Sequence, residues 1–168
     1  GIFLDLYVMD NIADGKLAVQ IQAWTAWFWS KLLVLSCMER PYLAQTGWTA
    51  RVIWAVCGLV HKTIRFLHIR PALFRAHCEA ACRKYERKKT KRMAFLPDTN
   101  PFWNVVDKTR MFPMRELPFE DVKLPFTNDI ETIMESQYGD YMTMPPEEKR
   151  KTHYPYRLQF EKGVEAQE

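Results

Sequence analysis

The stretch from residue 16 to residue 38, "KLAVQIQAWTAWFWSKLLVLSCM", decides the fold class of this chain and contains neither proline nor glycine. Its large apolar residues recur every three or four positions, which is the spacing of one face of an α-helix. The pattern therefore predicts a long helix that packs through its tryptophan and leucine face. The positions on that face are Leu17, Ile21, Trp24, Phe28 and Leu32.

The uninterrupted apolar run in this predicted helix is too short to cross a membrane. Its longest charge-free run extends from Leu17 to Ser30, which is fourteen residues, and Lys31 interrupts the pattern. A spanning helix needs about 20 predominantly apolar residues. We therefore expect the helix to pack against other parts of the chain.

Two more helices are expected before the composition changes near residue 95. Residues 48–69 repeat the helical spacing, and Pro71 suits the first turn of a third helix. The third helix is predicted to continue through the basic run "RKYERKKTKR" of residues 83–92. Together these stretches predict a helical middle of the chain.

Strands are expected on either side of this helical middle. Residues 2–9 form a largely apolar run typical of a buried strand, and the turn signal Asp14-Gly15 follows it. After residue 95 the chain is rich in proline, and the alternating run "PFEDVKLPF" predicts short strands joined by turns. The chain is therefore predicted to form a single α+β domain over residues 1–168.

A last helix is predicted in "FTNDIETIMESQYGD", residues 126–140. Asn128 is a suitable N-cap, and Glu131 stands three residues later, as in a capping box. Gly139 suits the C-terminal end of the helix, where a positive φ is common. Asp140 can accept hydrogen bonds from nearby backbone amides, so we expect a structural turn at these two residues.

The charges are separated along the chain, although the net charge is only +4. Residues 61–92 hold eleven Lys and Arg against two acids, and residues 116–148 hold nine acids against one lysine. A basic segment of this kind can bind phosphates or an anionic surface. A solvated helix face is the alternative that the pattern alone favours.

The four cysteines, Cys37, Cys57, Cys78 and Cys82, lie in apolar helical contexts and are expected to be reduced, buried thiols. Cys78 and Cys82 share one helix face and would offer two ligands to zinc. No second pair of ligands follows at zinc spacing, so structural thiols are the favoured interpretation.

Asp5, in the middle of the predicted first strand, is the first candidate for chemistry. A carboxylate on a strand can hold a divalent metal, but one acid alone cannot bind Mg²⁺. Asp10 is a second acid, roughly 16 Å farther along an extended chain. For Asp5, the alternative is a structural acid in a salt bridge. Strand alternation predicts Asp5 facing a cleft on the side of Phe3 and Tyr7, with Leu4 and Leu6 in the core.

The second candidate is the loop "YGDYMTMPPEEKRKTHYP", residues 138–155. Its two consecutive prolines stiffen the chain ahead of Lys149, Arg150 and His153. These cations could bind a phosphate or an acceptor, and we expect them to return toward the Asp5 strand. A solvated surface turn is the alternative, and spacing alone favours it.

Three stretches of the sequence resemble successive blocks of the LicD family in order and in spacing. They are "GIFLDLYVMDNI" at residues 1–12, "LPFEDVKLPF" at 117–126 and "QYGDYMTMPPEEKRKTH" at 137–153, of which the last is the most specific. LicD proteins are nucleotidyltransferase-fold enzymes. They move phosphocholine, or a related phospho-alcohol, from a nucleotide-diphosphate donor to a cell-surface glycan.

The resemblance implies a partial nucleotidyltransferase-like core with a helical middle and a proline-rich C-terminal segment. Asp5 falls at the family's third metal-binding acid, in a block that here reads "LDLYVMD" with Val8 where proline is usual. Because the chain begins at Gly1, we expect it to be the C-terminal portion of a longer LicD domain. The glycine-rich stretch and the first two acids would lie upstream, so this portion is expected to be inactive alone.

The resemblance also implies the ligands and the location. The expected cofactor is Mg²⁺ or Mn²⁺, the donor is a CDP-alcohol, and the acceptor is a glycan such as lipopolysaccharide or teichoic acid. We expect a cytoplasmic protein without nucleic acid, whose basic residues 83–92 contact the membrane face or an anionic glycan. The alternative is a non-catalytic helical module that docks on a membrane or on nucleic acid through residues 61–92.

Overall fold

The computed structural model describes residues 6–43 and 45–147, and within these ranges the chain mixes helices and strands, as an α+β protein does. The strands form two antiparallel sheets, of which the first has strands before and after the helical middle and the second lies wholly after it. The helices are α1 Lys16–Cys37, α2 Gly47–Phe66, α3 Pro71–Cys82, α4 Lys108–Met111 and α5 Ile130–Tyr138. The strands are β1 Asp10–Ile12, β2 Arg92–Ala94, β3 Val106–Asp107, β4 Arg115–Phe119 and β5 Val122–Phe126.

The first sheet has the strand order β1-β2-β3, so β2 is its central strand. Both pairs are antiparallel, with Asp10 opposite Ala94 and Met93 opposite Val106. This sheet joins the start of the chain to its middle, since β1 and β2 are separated by the whole helical segment. The second sheet is the hairpin β4-β5, which confirms the strands predicted in "PFEDVKLPF".

Helix α1 confirms the predicted long helix, but the predicted packing face is wrong. Leu17 is 76% exposed and Trp24 is 52% exposed, whereas the opposite face of the helix is buried. Small side chains there allow α3 to approach closely, and β1 and β2 close the core beneath them. The buried residues of α1 are Val19, Gln22, Ala23, Ala26, Ser30 and Ser36.

Gln22 is the polar centre of this core and is only 1% exposed. Its Oε1 accepts a hydrogen bond from the backbone N–H of Ala13 at 3.0 Å. Its Nε2 donates to the carbonyl oxygens of Asn11 and Cys82, at 3.1 and 3.0 Å. One buried amide therefore joins α1 to β1 and to the end of α3, and its hydrogen bonds compensate for its burial.

The predicted first strand, residues 2–9, is wrong over the part that the structure describes. Residues 6–9 form no strand, and Leu6 is 83% exposed rather than in the core. The strand begins at Asp10. The next residue, Asn11, binds the segment after α3, since its Nδ2 donates to the carbonyl oxygens of Glu86 and Lys88 at 3.0 and 3.1 Å. Residues 1–5 lie outside the described residues.

The predicted continuation of α3 through residues 83–92 is also wrong. The helix ends at Cys82, a single 3₁₀ turn covers Arg83–Tyr85, and the chain then turns back into β2. Long-range hydrogen bonds explain the change of direction, because the N–H of Lys91 donates to Oδ1 of Asp14 at 3.0 Å. The carbonyls that Asn11 binds are likewise unavailable for helix continuation.

Helix α5 confirms the predicted C-terminal helix, with a different cap. Its N-cap is Asp129, whose Oδ1 accepts from the N–H of Thr132 at 3.4 Å, whereas Asn128 donates to the carbonyl of Thr109 at 3.3 Å. Gly139 follows the helix with φ 69°, the positive value that the sequence predicts. The chain can therefore turn sharply away from α5 at this residue.

Replacing Gly139 with alanine is expected to lower the free energy of unfolding by about 1 kcal/mol or more, since an L side chain is strained at positive φ. The matched control is Gly15→Ala, because Gly15 has φ −71° and an added Cβ would lie 3.8 Å from that of Ala18, an ordinary contact. Urea denaturation measures both variants. Equal losses would contradict the assignment of strain to Gly139.

Among the described helices, none is on its own long and apolar enough to cross a membrane. Helix α2 and the segment Pro71–Tyr85 meet at a bend of 112° and reach that length and composition only together.

Candidate functional site

A cleft of about 440 Å³ lies between the N-terminal segment, the loop after β2 and helix α5. We call it the Tyr7 cleft. Most of its lining is aromatic or aliphatic, with a few amide and carboxylate groups, which is the usual composition of a small-molecule site. Its lining residues are Tyr7, Met9, Asp98, Trp103, Asn104, Val106, Met111, Ile133, Gln137 and Tyr138.

The extended residues before β1 place alternate side chains in two different clefts. Tyr7 and Met9 line the Tyr7 cleft, whereas Val8 and Asp10 line a second one, as the alternation of an extended chain requires. Tyr7 packs edge-to-face on Phe95, with ring centroids 4.9 Å apart. This contact fixes the aromatic wall of the Tyr7 cleft against the chain that follows β2.

A chain of hydrogen bonds crosses the Tyr7 cleft and joins its two sides. Nε2 of Gln137, on α5, donates to Oδ1 of Asn104 at 3.0 Å. Nδ2 of Asn104 donates in turn to Oδ2 of Asp98 at 2.6 Å. The relay sets which way each amide faces, so the polar groups that a ligand would meet are held in place.

Helix α1 supports the loop that carries Asp98. Nζ of Lys31 donates to the carbonyl oxygen of Asp98 at 3.0 Å and lies 5.5 Å from the centre of the Trp27 ring. Burial lowers the pKa of Lys31, and the negative charge of Asp98 opposes that shift. The indole N–H of Trp27 donates to the carbonyl of Thr99 at 2.9 Å, so the loop is anchored at two consecutive residues.

The second cleft, which we call the Asp10 cleft, has a volume of about 510 Å³ and is bordered by Asp10, Glu79, Arg83 and Glu86 together with both buried thiols. Burial raises the pKa of Asp10, while the charge of Arg83 acts in the opposite direction. Arg83 and Glu86 form an exposed ion pair with an N–O distance of 2.7 Å. Asp10 itself is the first residue of β1.

All four cysteines are free, and Cys78 and Cys82 are buried, as the sequence predicts. The prediction of a buried thiol is wrong for Cys37, which is exposed, and Cys57 is only half-buried. The Sγ of Cys78 donates to the carbonyl of Ala26 at 3.6 Å. The hydrogen bond with Cys78, together with burial, raises the pKa of the Cys82 thiol. The same hydrogen bond lowers the pKa of the Cys78 thiol. The surroundings of Cys82 therefore favour a protonated, unreactive side chain over thiolate chemistry.

The described residues do not by themselves fit a magnesium site. Residues 6–43 and 45–147 contain no group of three or more His, Cys, Asp or Glu side chains arranged to hold a metal ion. The carboxylate in the Tyr7 cleft, Asp98, already accepts bonds at both oxygens, from Thr99 and from Asn104. We therefore derive no chemical step through a metal from these side chains.

The sequence-predicted site residues divide into two groups. Asp5, Lys149, Arg150 and His153 lie outside the described residues, so their predicted convergence stays a prediction. Asp140 is described: its Oδ1 accepts from the N–H of Thr143 at 3.3 Å and its Oδ2 from the hydroxyl of the same residue at 2.6 Å. That geometry makes Asp140 part of a turn.

Sequence reasoning missed the polar relay of Asp98, Asn104 and Gln137. The first two stand in the proline-rich run "LPDTNPFWN", which reads locally as a loop. Gln137 is 33 residues beyond Asn104, and nothing in its own helix distinguishes it from a solvated glutamine. A cluster of polar residues among aromatic ones, Phe102 and Trp103, was the one available signal.

Comparison with known proteins gave no match among family models, curated proteins or solved structures. The LicD resemblance therefore stays a prediction from the motif blocks of the sequence.

Proposed function

We propose that the protein containing this chain is a LicD-like transferase built on a nucleotidyltransferase-like core. It would move phosphocholine, or a related phospho-alcohol, from a CDP-type donor to a glycan such as lipopolysaccharide or teichoic acid. Mg²⁺ or Mn²⁺ would be its cofactor, with Asp5 as one ligand. The remaining metal ligands are not found among the described side chains.

One observation carries this proposal: two of the three LicD-like blocks, far apart in sequence, contribute to the same cleft. Tyr7 and Met9 belong to the block at residues 1–12, and Gln137 and Tyr138 belong to the block at 137–153. Asp5 belongs to the same block as Tyr7 and stands two residues before it in the sequence, which is why it is the proposed metal ligand. The third block forms the hairpin β4-β5.

The chemistry of the Tyr7 cleft suits the nucleoside end of such a donor better than its phosphates. Aromatic side chains such as Trp103 can stack on a base, and the amides of Asn104 and Gln137 can pair with its polar edge. None of the lining residues is a cation. The pyrophosphate would therefore need positive charge from elsewhere, for which Lys149, Arg150 and His153 are the candidates.

The test is donor turnover by the full-length protein with CDP-choline, CDP-ribitol and CDP-glycerol in the presence of Mg²⁺. Asp5→Asn is expected to lower turnover about 100-fold or more, because a carboxylate ligand is lost while the shape of the side chain is kept. The matched control is Asp107→Asn, since Asp107 is exposed on β3 and the control should retain activity. Near-normal turnover by folded Asp5→Asn, or no turnover of any donor by the wild type, would contradict the proposal.

A further inference from the structure

Helix α2 carries an exposed apolar stripe along its whole length. The stripe, which we call the α2 stripe, consists of Trp48, Val52, Val56, Leu59 and Phe66, and these side chains are between 52% and 80% exposed. At roughly 100° of rotation per residue, all five fall within about 80° of one another. They form an apolar face about 27 Å long, at 1.5 Å of rise per residue, which the exposed Thr63 interrupts between Leu59 and Phe66.

The opposite side of α2 attaches it to the rest of the protein. Gly58 and Ile64 are buried there, and an added Cβ at Gly58 would lie 3.3 Å from Oε1 of Glu39. The ring of His61 donates from Nδ1 to the carbonyl of Leu35, at the end of α1, at 2.7 Å. Because these contacts fix the rotation of α2 about its axis, the α2 stripe is held outward.

The charges that α2 itself carries beside the α2 stripe are all positive, and the one acid described next to them is Glu39, in the connection between α1 and α2. Residues 47–70 contain Arg51, Lys62, Arg65 and Arg70 and no acid. In helical projection Arg51 and Lys62 fall within about 60° of one edge of the stripe. Lys62 pairs with Glu39 at 3.5 Å, yet its side chain is 74% exposed, so it keeps access to a second anion.

We propose that α2 lies in the plane of an anionic membrane surface, with the α2 stripe inserted among the lipid chains and its arginines and lysines at the headgroups. An apolar face bordered by basic residues is the composition of interfacial helices. A second copy of this chain is a poorer occupant, because two stripes in contact would bring like charges together. The proposal goes beyond the transferase and uses neither the Tyr7 cleft nor the basic run 83–92.

The geometry also favours lying on the surface over crossing the membrane. Helix α2 is fixed along one side by polar contacts to α1 and to the connection after it, including a hydrogen bond of 3.0 Å from the indole N–H of Trp54 to the carbonyl of Pro41. A spanning helix would have to bury these contacts in lipid. The α2 stripe occupies only one side of the helix, as expected for a helix that lies at the membrane interface with one face in the lipid.

Flotation of the full chain with lipid vesicles tests this assignment. The wild type is expected to float with vesicles of phosphatidylcholine mixed with phosphatidylglycerol and to float less with phosphatidylcholine alone. Val56→Asp should lower the ratio of bound to free protein at least about tenfold on the mixed vesicles, since a carboxylate cannot enter the lipid chains. The matched control is Val122→Asp, in the exposed hairpin, which should bind as the wild type does.

A second variant separates the charge from the apolar face. Arg51→Gln should reduce binding to the mixed vesicles and leave binding to phosphatidylcholine alone unchanged, because only the attraction to anionic headgroups is lost. Unchanged binding by Val56→Asp, or no flotation of the wild type, would overturn the proposal. Concentration-dependent dimers that Val56→Asp abolishes, without vesicle binding, would overturn it in favour of a second copy. The assay contains no donor or metal, so its outcome is independent of the transferase activity.

Discussion

Replacing Gln22 with leucine is expected to lower the free energy of unfolding by about 2–4 kcal/mol, although leucine has a similar volume and is more apolar. The substitution leaves the N–H of Ala13 and the carbonyls of Asn11 and Cys82 without the amide that now binds them. Each unsatisfied buried polar group costs about 1–3 kcal/mol. The loss should therefore exceed the gain from burying a leucine side chain.

Urea denaturation followed by circular dichroism measures this difference. The matched control is Gln20→Leu, which lies on the same helix at an exposed position and should change stability by less than about 0.5 kcal/mol. A Gln22→Leu variant as stable as the wild type would show that water or backbone movement can replace the amide. Gln22 would then have no structural role beyond filling space.

The second large effect is expected at the contact between α1 and α3. Ala23 is fully buried on the small face of α1, so Ala23→Leu should destabilise the protein by about 1–3 kcal/mol through overpacking. Ile21 is two residues earlier and 60% exposed, so Ile21→Ala should cost much less. This ranking is the reverse of the one that the spacing of large apolar residues predicts.

Thermal denaturation of the two variants decides between the two faces. If Ile21→Ala is the more damaging substitution and Ala23→Leu is tolerated, the tryptophan and leucine face would be the packed one, as the sequence pattern predicts. Equal effects would mean that both faces of α1 are covered.

The extent of the elements could be predicted from local chemistry. The absence of proline and glycine in residues 16–38 predicted α1 to within one residue. The alternating run 118–126 predicted the hairpin and the C-terminal end of β5, whereas β4 begins three residues before that run. Local patterns failed where distant groups decide the conformation. The helix after Pro71 ends at Cys82, whose carbonyl is bound by Gln22, and the turn that follows is held by Asn11, more than seventy residues earlier in the chain.

The packing face of α1 shows a second limit of the sequence pattern. Large apolar side chains indicate an apolar face, but they do not say whether that face meets the protein core or something outside it. In α1 the close approach of α3 requires alanine and serine, which carry little hydrophobic signal. For the same reason the exposure of the α2 stripe could not be predicted, since exposed and buried apolar faces have the same sequence pattern.

The candidate site was accessible to sequence reasoning only through its motifs. The LicD-like blocks at residues 1–12 and 137–153 each contribute two side chains to the Tyr7 cleft. The relay from Gln137 through Asn104 to Asp98 could not be predicted, because each of these residues is ordinary in its own segment. Only the fold brings the loop after β2 beside α5.

Strand β1 pairs with a strand that is distant in sequence, and this affects how the protein folds during its synthesis on the ribosome. Its partner strand β2 begins at Arg92, and the carbonyls that Asn11 binds belong to residues 85, 86 and 88. During synthesis, β1 therefore emerges long before anything exists for it to pair with. Helices α1 and α2 can form as they leave the exit tunnel, but β1 cannot pair until β2 has been made, and the first sheet is complete only when β3 follows at residues 106 and 107. The segment around β1 therefore stays open to chaperones during this interval.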